Sequence, residues 1–156
     1  MSRPPQIVLV SACLLGCECR YDGRHNRDER LEDELLARGE VAESFCPEER
    51  GGLPTPRPAA WIESQSAAEV LEGKDRLVTN AGADVTPEFR KGAEAALARC
   101  RELGIETAYL KERSPSCGVK STHVNGELVE GHGVTAELLH HAGIRIVGIE
   151  GRRARD

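Results

Sequence analysis

Four short apolar runs, Ile7–Ala12, Val41–Phe45, Ile105–Leu110 and Ile144–Ile149, alternate along the chain with segments of helical period. The runs are of strand length, and three are rich in β-branched residues. "DERLEDELLARG" places Leu31, Leu35 and Leu36 on one face and stops at Gly39. "TPEFRKGAEAALARCRELG" starts with Thr86 as N-cap and Pro87 at the first helical position; its apolar face runs through Phe89, Ala93, Leu97 and Cys100. "TAELLHHAG" repeats the pattern, with Thr135 as cap and Gly143 as stop. Helix then strand, repeated, predicts an α/β single domain with a parallel, Rossmann-like central sheet flanked by helices.

Residues 50–85 break the alternation. Four of the eight prolines fall between residues 47 and 58, which stiffens that loop. Short apolar pieces at Ala59–Ile62 and Arg76–Thr79 predict a small hairpin insertion there. At 156 residues the chain fits one domain, 1–150, followed by a basic tail, 151–156 ("GRRARD"), expected to be solvated and frayed.

Composition narrows the function classes. A net charge of −5 argues against a general nucleic-acid binder, and 3% aromatics leaves too few rings for a base-stacking platform. The first apolar run is too short for a membrane span and reads as a buried strand with its turn. The cytoplasm is the expected compartment, where six cysteines are seldom paired as disulfides.

Three of those cysteines hold related places. Cys13 closes the first strand, Cys46 closes the second, and Cys117 follows the third by a serine–proline turn. Open α/β sheets build their sites at the carboxyl ends of parallel strands, so three residues far apart in sequence are expected at one sheet edge. Three thiolates are soft ligands that suit zinc or an iron–sulfur cluster and leave a coordination position open for chemistry. Glu48 stands two residues after Cys46 and Ser114 three before Cys117, an acid/base and a hydroxyl beside that position.

These motifs, "VSACLLGCECRYDG", "CPEERGGLPTPRP" and "LKERSPSCG", with "GADVTPEFRKGA", resemble the bacterial TudS-like thiouracil desulfidases, from about Ile7 to Ile149. The resemblance implies a [4Fe-4S] cluster held by Cys13, Cys46 and Cys117. Its fourth iron would take the sulfur of a thiolated uracil. The family's catalytic carboxylate falls on Glu48 and its active-site serine on Ser114. The implied reaction is a non-redox hydrolysis of a carbon–sulfur bond, giving a uracil and sulfide.

Other residues carry two readings each. Tyr21 stacks on a pyrimidine, or "RYDG" is simply a turn. Arg57, held by its prolines, reaches a substrate oxygen or phosphate, or makes a surface ion pair. Lys111 and Arg113 make the pocket electropositive, or are solvated. "CLLGCEC" offers a rival set of thiols for zinc, which would make the chain a structural or interaction module, while thiol-redox chemistry through Cys13 and Cys17 or sulfur carriage would make it another class again. Cys17 and Cys19 are otherwise accessory thiols, Cys100 is a packed core thiol, Asp84 caps a helix start, and the five histidines are expected to hold no metal.

Overall fold

The computed structural model describes residues 4–156. In chain order the strands are β1 (Gln6–Ser11), β2 (Glu40–Phe45), β3 (Ala60–Ile62), β4 (Leu77–Thr79), β5 (Thr107–Lys111), β6 (Ser121–Val124), β7 (Glu127–Glu130) and β8 (Arg145–Ile149). The helices are α1 (Glu29–Ala37), α2 (Pro47–Arg50), α3 (Ala67–Leu71), α4 (Thr86–Leu103) and α5 (Val134–His141).

The four apolar runs form one sheet, in the order β2-β1-β5-β8, with every pairing parallel. The period-two alternation of β1 explains how it is covered. Leu9 packs on one face with Ala96, Cys100 and Leu139, from α4 and α5. Val8 and Val10 pack on the other with Leu31 and Leu35 of α1. A strand buried on both faces needs such a continuous apolar run.

A second sheet, β4-β3-β6-β7, lies over a core of Ile62, Val70, Leu77, Phe89, Ala93 and Val134. The two strands expected within residues 50–85 do pair antiparallel, Trp61 opposite Val78. Residues 121–130 complete that sheet as a hairpin turning at Asn125 and Gly126, both at positive φ. The Asn-Gly turn matches strand twist, although no hairpin was expected here from the sequence.

Several local expectations are corrected. Leu36 does not share the buried face of α1; it is 80% exposed while Leu31 and Leu35 are buried. Thr86 lies inside α4, whose N-cap is Val85, and its Oγ1 accepts from the Leu77 N–H at 2.9 Å instead. Asp84 does serve the helix start, accepting from the Thr86 N–H. Thr135 lies inside α5 behind Gly133, fully buried, with its hydroxyl 2.7 Å from that of Ser116.

The tail is not frayed. Arg153 bonds Asp28 and Glu34, and Arg155 bonds Asp33 and Glu29, so residues 151–156 lie along α1. Six residues carrying three arginines met the acidic face of a helix, and charge complementarity decided their course.

Candidate active site

Register brings the cysteines together. Ser11 stands opposite Phe45 in the β1–β2 pairing, so the two strands end flush. Two residues beyond Ser11, Cys13 sits in a 3-10 turn, Ala12–Leu15. One residue beyond Phe45, Cys46 is the N-cap of α2, with Pro47 opening the helix. On the neighbouring β5, the Lys111 N–H donates to Ser11 Oγ at 2.9 Å, binding the third strand end to the first.

The loop after β5 is built around two side chains. Ser114 Oγ accepts from the N–H groups of Ser116 and Cys117, at 3.0 and 2.9 Å, which winds "SPSC" into a turn and presents Cys117. Glu112, buried, accepts from the N–H groups of Val119, Lys120 and Ser121. A buried carboxylate is tolerated where backbone donors surround it. Gly148 of β8 leaves room for it, since a Cβ there would lie 1.8 Å from Glu112 Oε2.

A cavity of about 660 Å³ opens at this edge, and Cys13, Cys46, Cys117, Glu48, Ser114, Tyr21, Arg57 and Lys111 all line it. Its size is that of a small-ligand site. The eight residues that the desulfidase reading assigns to ligation, catalysis or substrate contact therefore border one space, whereas Cys17 of the rival thiol set does not. Cys19 borders it too, 2% exposed, whereas Cys17 is exposed and Cys100 is buried in the core with its thiol pushed up to about 11 by that burial. The three thiols of "CLLGCEC" thus part company. Among the described residues, no three His, Cys, Asp or Glu side chains are gathered round one ion position.

The thiols interact. A hydrogen bond from Cys19 holds the Cys13 thiol down to about 7, with help from Asn26, Lys111 and Arg20 against burial. The same partner lowers Cys46. Cys19 itself is pushed far up, first by those two bonds and then by burial. Burial pushes Cys117 up to about 12, and the charges of Cys13, Cys46 and Glu48 add to that.

Glu48 and Arg57 form a charged wall of the cavity. The Arg57 Nε donates to Glu48 Oε1 at 3.1 Å. Its other nitrogens donate to the carbonyls of Pro54 and Cys19 and to Thr55 Oγ1. The guanidinium makes an ion pair, but a buried one rather than the surface pair the sequence suggested. Burial raises the Glu48 pKa, and Arg57 opposes the rise. Lys111 is lowered by burial, and its Nζ donates to the Glu112 carbonyl.

Asn26 and Trp61 also line the cavity, and sequence reasoning named neither. Asn26 gave a weak signal, one residue among the polar ones after "RYDG"; its place depends on contacts with residues more than a hundred positions away.

An α/β sheet whose strand ends gather three cysteines, a carboxylate and an arginine around one cavity defines a protein with a thiol-lined site for a small molecule. The 2-thiouracil desulfurase family model matches residues 8–150. An uncharacterized protein, YbbK, of Bacillus subtilis (strain 168) is 40% identical over 144 residues, covering 90% of this chain and 94% of its own. A solved structure titled [4Fe-4S]-dependent thiouracil desulfidase TudS is 44% identical, with a TM-score of 0.76, covering 92% of this chain and 90% of that one. The chain belongs to the 2-thiouracil desulfurase family.

Proposed function

We propose that this protein is a thiouracil desulfidase, a hydrolase that exchanges the thiocarbonyl sulfur of a thiolated uracil for oxygen. One water is consumed, and the uracil and hydrogen sulfide are released. The observation that carries the reading is the meeting of Cys13, Cys46 and Cys117 with Glu48 around one cavity.

Cys13, Cys46 and Cys117 would hold the [4Fe-4S] cluster. The donor set fits it: three soft thiols from separate strand ends border a cavity large enough for a cofactor together with a small base. When bound, the cluster supplies a soft Lewis acid for the thiocarbonyl sulfur.

The protein's own groups do the proton work. Glu48 Oε1 is held by Arg57, and among the described residues Oε2 accepts no hydrogen bond. That oxygen takes a proton from the attacking water. A raised pKa brings the carboxylate closer to the working pH, where proton transfer is most effective. Ser114 Oγ is engaged as an acceptor by two N–H groups, so its own O–H is left to donate to the substrate. Tyr21, 47% exposed at the rim, offers a ring for the pyrimidine to stack on.

The substrate class is 2-thiouracil, 4-thiouracil or 4-thiouridine monophosphate. All six cysteines are free thiols, which suits a reducing cytoplasm. Among the described residues no helix is long and apolar enough to cross a membrane.

The test is anaerobic reconstitution with iron and sulfide, followed by incubation with each thiopyrimidine. Sulfide and the oxygenated base appear together in equal amounts if the reading is right. A protein that binds zinc alone, or iron without turning over any of the three, overturns it.

A further inference from the structure

Asn26 is 3% exposed, in the loop that returns from Cys13 towards α1. Its backbone N–H donates to the Cys13 carbonyl at 2.9 Å, and its own carbonyl accepts from the Arg152 N–H at 3.2 Å. Two guanidinium groups converge on its side chain. Arg20 Nη1 donates to Oδ1 at 2.7 Å and Arg152 Nε donates to the same oxygen at 3.0 Å. Its Nδ2 lies 3.5 Å from Cys13 Sγ and donates to it.

The orientation of an asparagine amide is decided by its partners. Neither guanidinium can accept a hydrogen bond, so both must face the oxygen. The NH2 end is thereby turned to the sulfur. An NH2 group can donate to a thiolate and cannot accept from a thiol, so the arrangement favours sulfur in the form that ligates metal.

Arg152 reaches this place because the chain turns at Gly151, at φ +91°. A Cβ on Gly151 would lie 3.0 Å from the Asn26 carbonyl oxygen and 3.1 Å from a Leu14 methyl. The close approach of the tail to the site therefore depends on glycine.

We propose that Asn26 is the positioning residue of Cys13, donating its amide N–H to the sulfur in an orientation set by Arg20 and by Arg152 of the C-terminal segment. The inference rests on the reading of Cys13 as a cluster ligand and adds the residues that hold it there. Hydrogen bonds to ligand sulfurs strengthen metal sites and raise the potential of iron–sulfur centres. The basic tail is, on this account, part of the site's support rather than an appendage.

The test uses the full chain, anaerobically reconstituted, as wild type, Asn26→Asp and Arg152→Gln. Asn26→Asp replaces the donor with an oxygen, and Arg152→Gln releases one of the two clamps at a distance from the sulfur. Both variants should surrender iron to a chelator about 10-fold faster than wild type or more. Both should also show a more negative reduction potential, with Arg152→Lys recovering part of the loss. Iron release and potential equal to wild type in both variants overturn the proposal.

Failure of the underlying reading looks different: Cys13→Ser would then keep its cluster as well as wild type does. The link is in that event read in metal-free protein, from the Asn26 side-chain NH2 signals in a 15N–1H correlation spectrum. Movement of those signals by both Cys13→Ala and Arg152→Gln supports the proposal, and signals unmoved by either overturn it.

Discussion

The Arg57 guanidinium, 4% exposed, meets the Glu48 carboxylate, 18% exposed, across 3.1 Å on the wall of the thiol-lined cavity. On the proposed reading this interaction serves both catalysis and stability, and substitutions on its two sides separate them. Glu48→Gln keeps an oxygen for Arg57 and removes the proton acceptor. Turnover of a thiopyrimidine should fall by about 10²–10⁴-fold, the range for loss of general acid–base catalysis, while iron content stays near that of wild type and the melting temperature falls less than in an Arg57 variant, because Gln keeps the hydrogen bond to the guanidinium.

Arg57→Met acts on the other side. It strips donors from Glu48, from Thr55 and from the carbonyls of Pro54 and Cys19 at once. Breaking a buried pair from one side costs about 3–5 kcal/mol, because the remaining charge is left without a partner. Urea unfolding should show a loss of that size, and activity should fall with it. An unfolding midpoint equal to that of wild type would remove Arg57 from this structural role.

Helix α2 carries Glu48, and its seat on α4 depends on two glycines. A Cβ on Gly92 would lie 1.9 Å from the Pro47 carbonyl oxygen, and one on Gly51 the same distance from that of Glu88. Both obstacles are backbone, so neither turns aside by rotating a side chain. Gly92→Ala should cost about 1–3 kcal/mol or more, as overpacking does, and should lower turnover by shifting Glu48 away from the cavity. Thermal melts and kcat measured on the same preparation check both effects.

What the sequence revealed, and what it withheld, follows the range of the interactions. The sheet was legible because burial on both faces demands apolar runs, and Val8, Leu9 and Val10 announce that without help. The gathering of Cys13, Cys46 and Cys117 at one cavity was legible because each follows a strand end, and parallel pairing brings such ends together. Helix starts were read one residue out at Thr86 and two at Thr135, since each hydroxyl found a tertiary partner, in Leu77 and Ser116, in place of a local cap. The hairpin around Asn125-Gly126 was missed because its second strand is wholly exposed and carries little apolar signal. Asn26 and Glu112 escaped notice, and the tail was expected to fray, for another reason: what they do depends on the folded chain around them, most plainly where Arg152 reaches Asn26 across 126 positions.

Asp75 gives the pH dependence its clearest source outside the site. Burial alone would raise its pKa, but bonds from the N–H groups of Arg76, Gln65 and Ser64 and from the Ser64 hydroxyl prevail, and the net shift is downward from 3.8. A depressed carboxylate contributes stability that is fully present above its unfolded value and is lost as pH falls through its lower folded value. Asp75→Asn should therefore cost about 2 kcal/mol at neutral pH, from donors left unpaired. The gap between the two unfolding curves should narrow as pH drops below 3.8. A gap that stays constant down to about pH 2 would show that the carboxylate's charge is not what the loop uses.

The two tail arginines that face α1 differ in what they leave behind. Arg153 Nε donates to both oxygens of Asp28, at 3.1 and 2.9 Å, and its Nη2 donates to Glu34 at 2.6 Å. The Asp28 side chain is 0% exposed and also accepts from the Leu31 N–H as the N-cap of α1. Arg155 pairs with Asp33 and Glu29, carboxylates that are 51% and 35% exposed. Water can replace Arg155 at such groups, but it has no access to Asp28 once the structure is closed. Arg153→Met should thus destabilise the fold by about 1–2 kcal/mol, discounted from a fully buried pair because Arg153 itself is 40% exposed. Arg155→Met should have a small effect at low ionic strength that disappears in about 0.5 M salt, where surface charges are screened, whereas most of the Arg153 effect should persist. Chemical unfolding of both variants at two salt concentrations decides the matter, and equal, fully screened losses would mean that Asp28 finds another partner when Arg153 is gone.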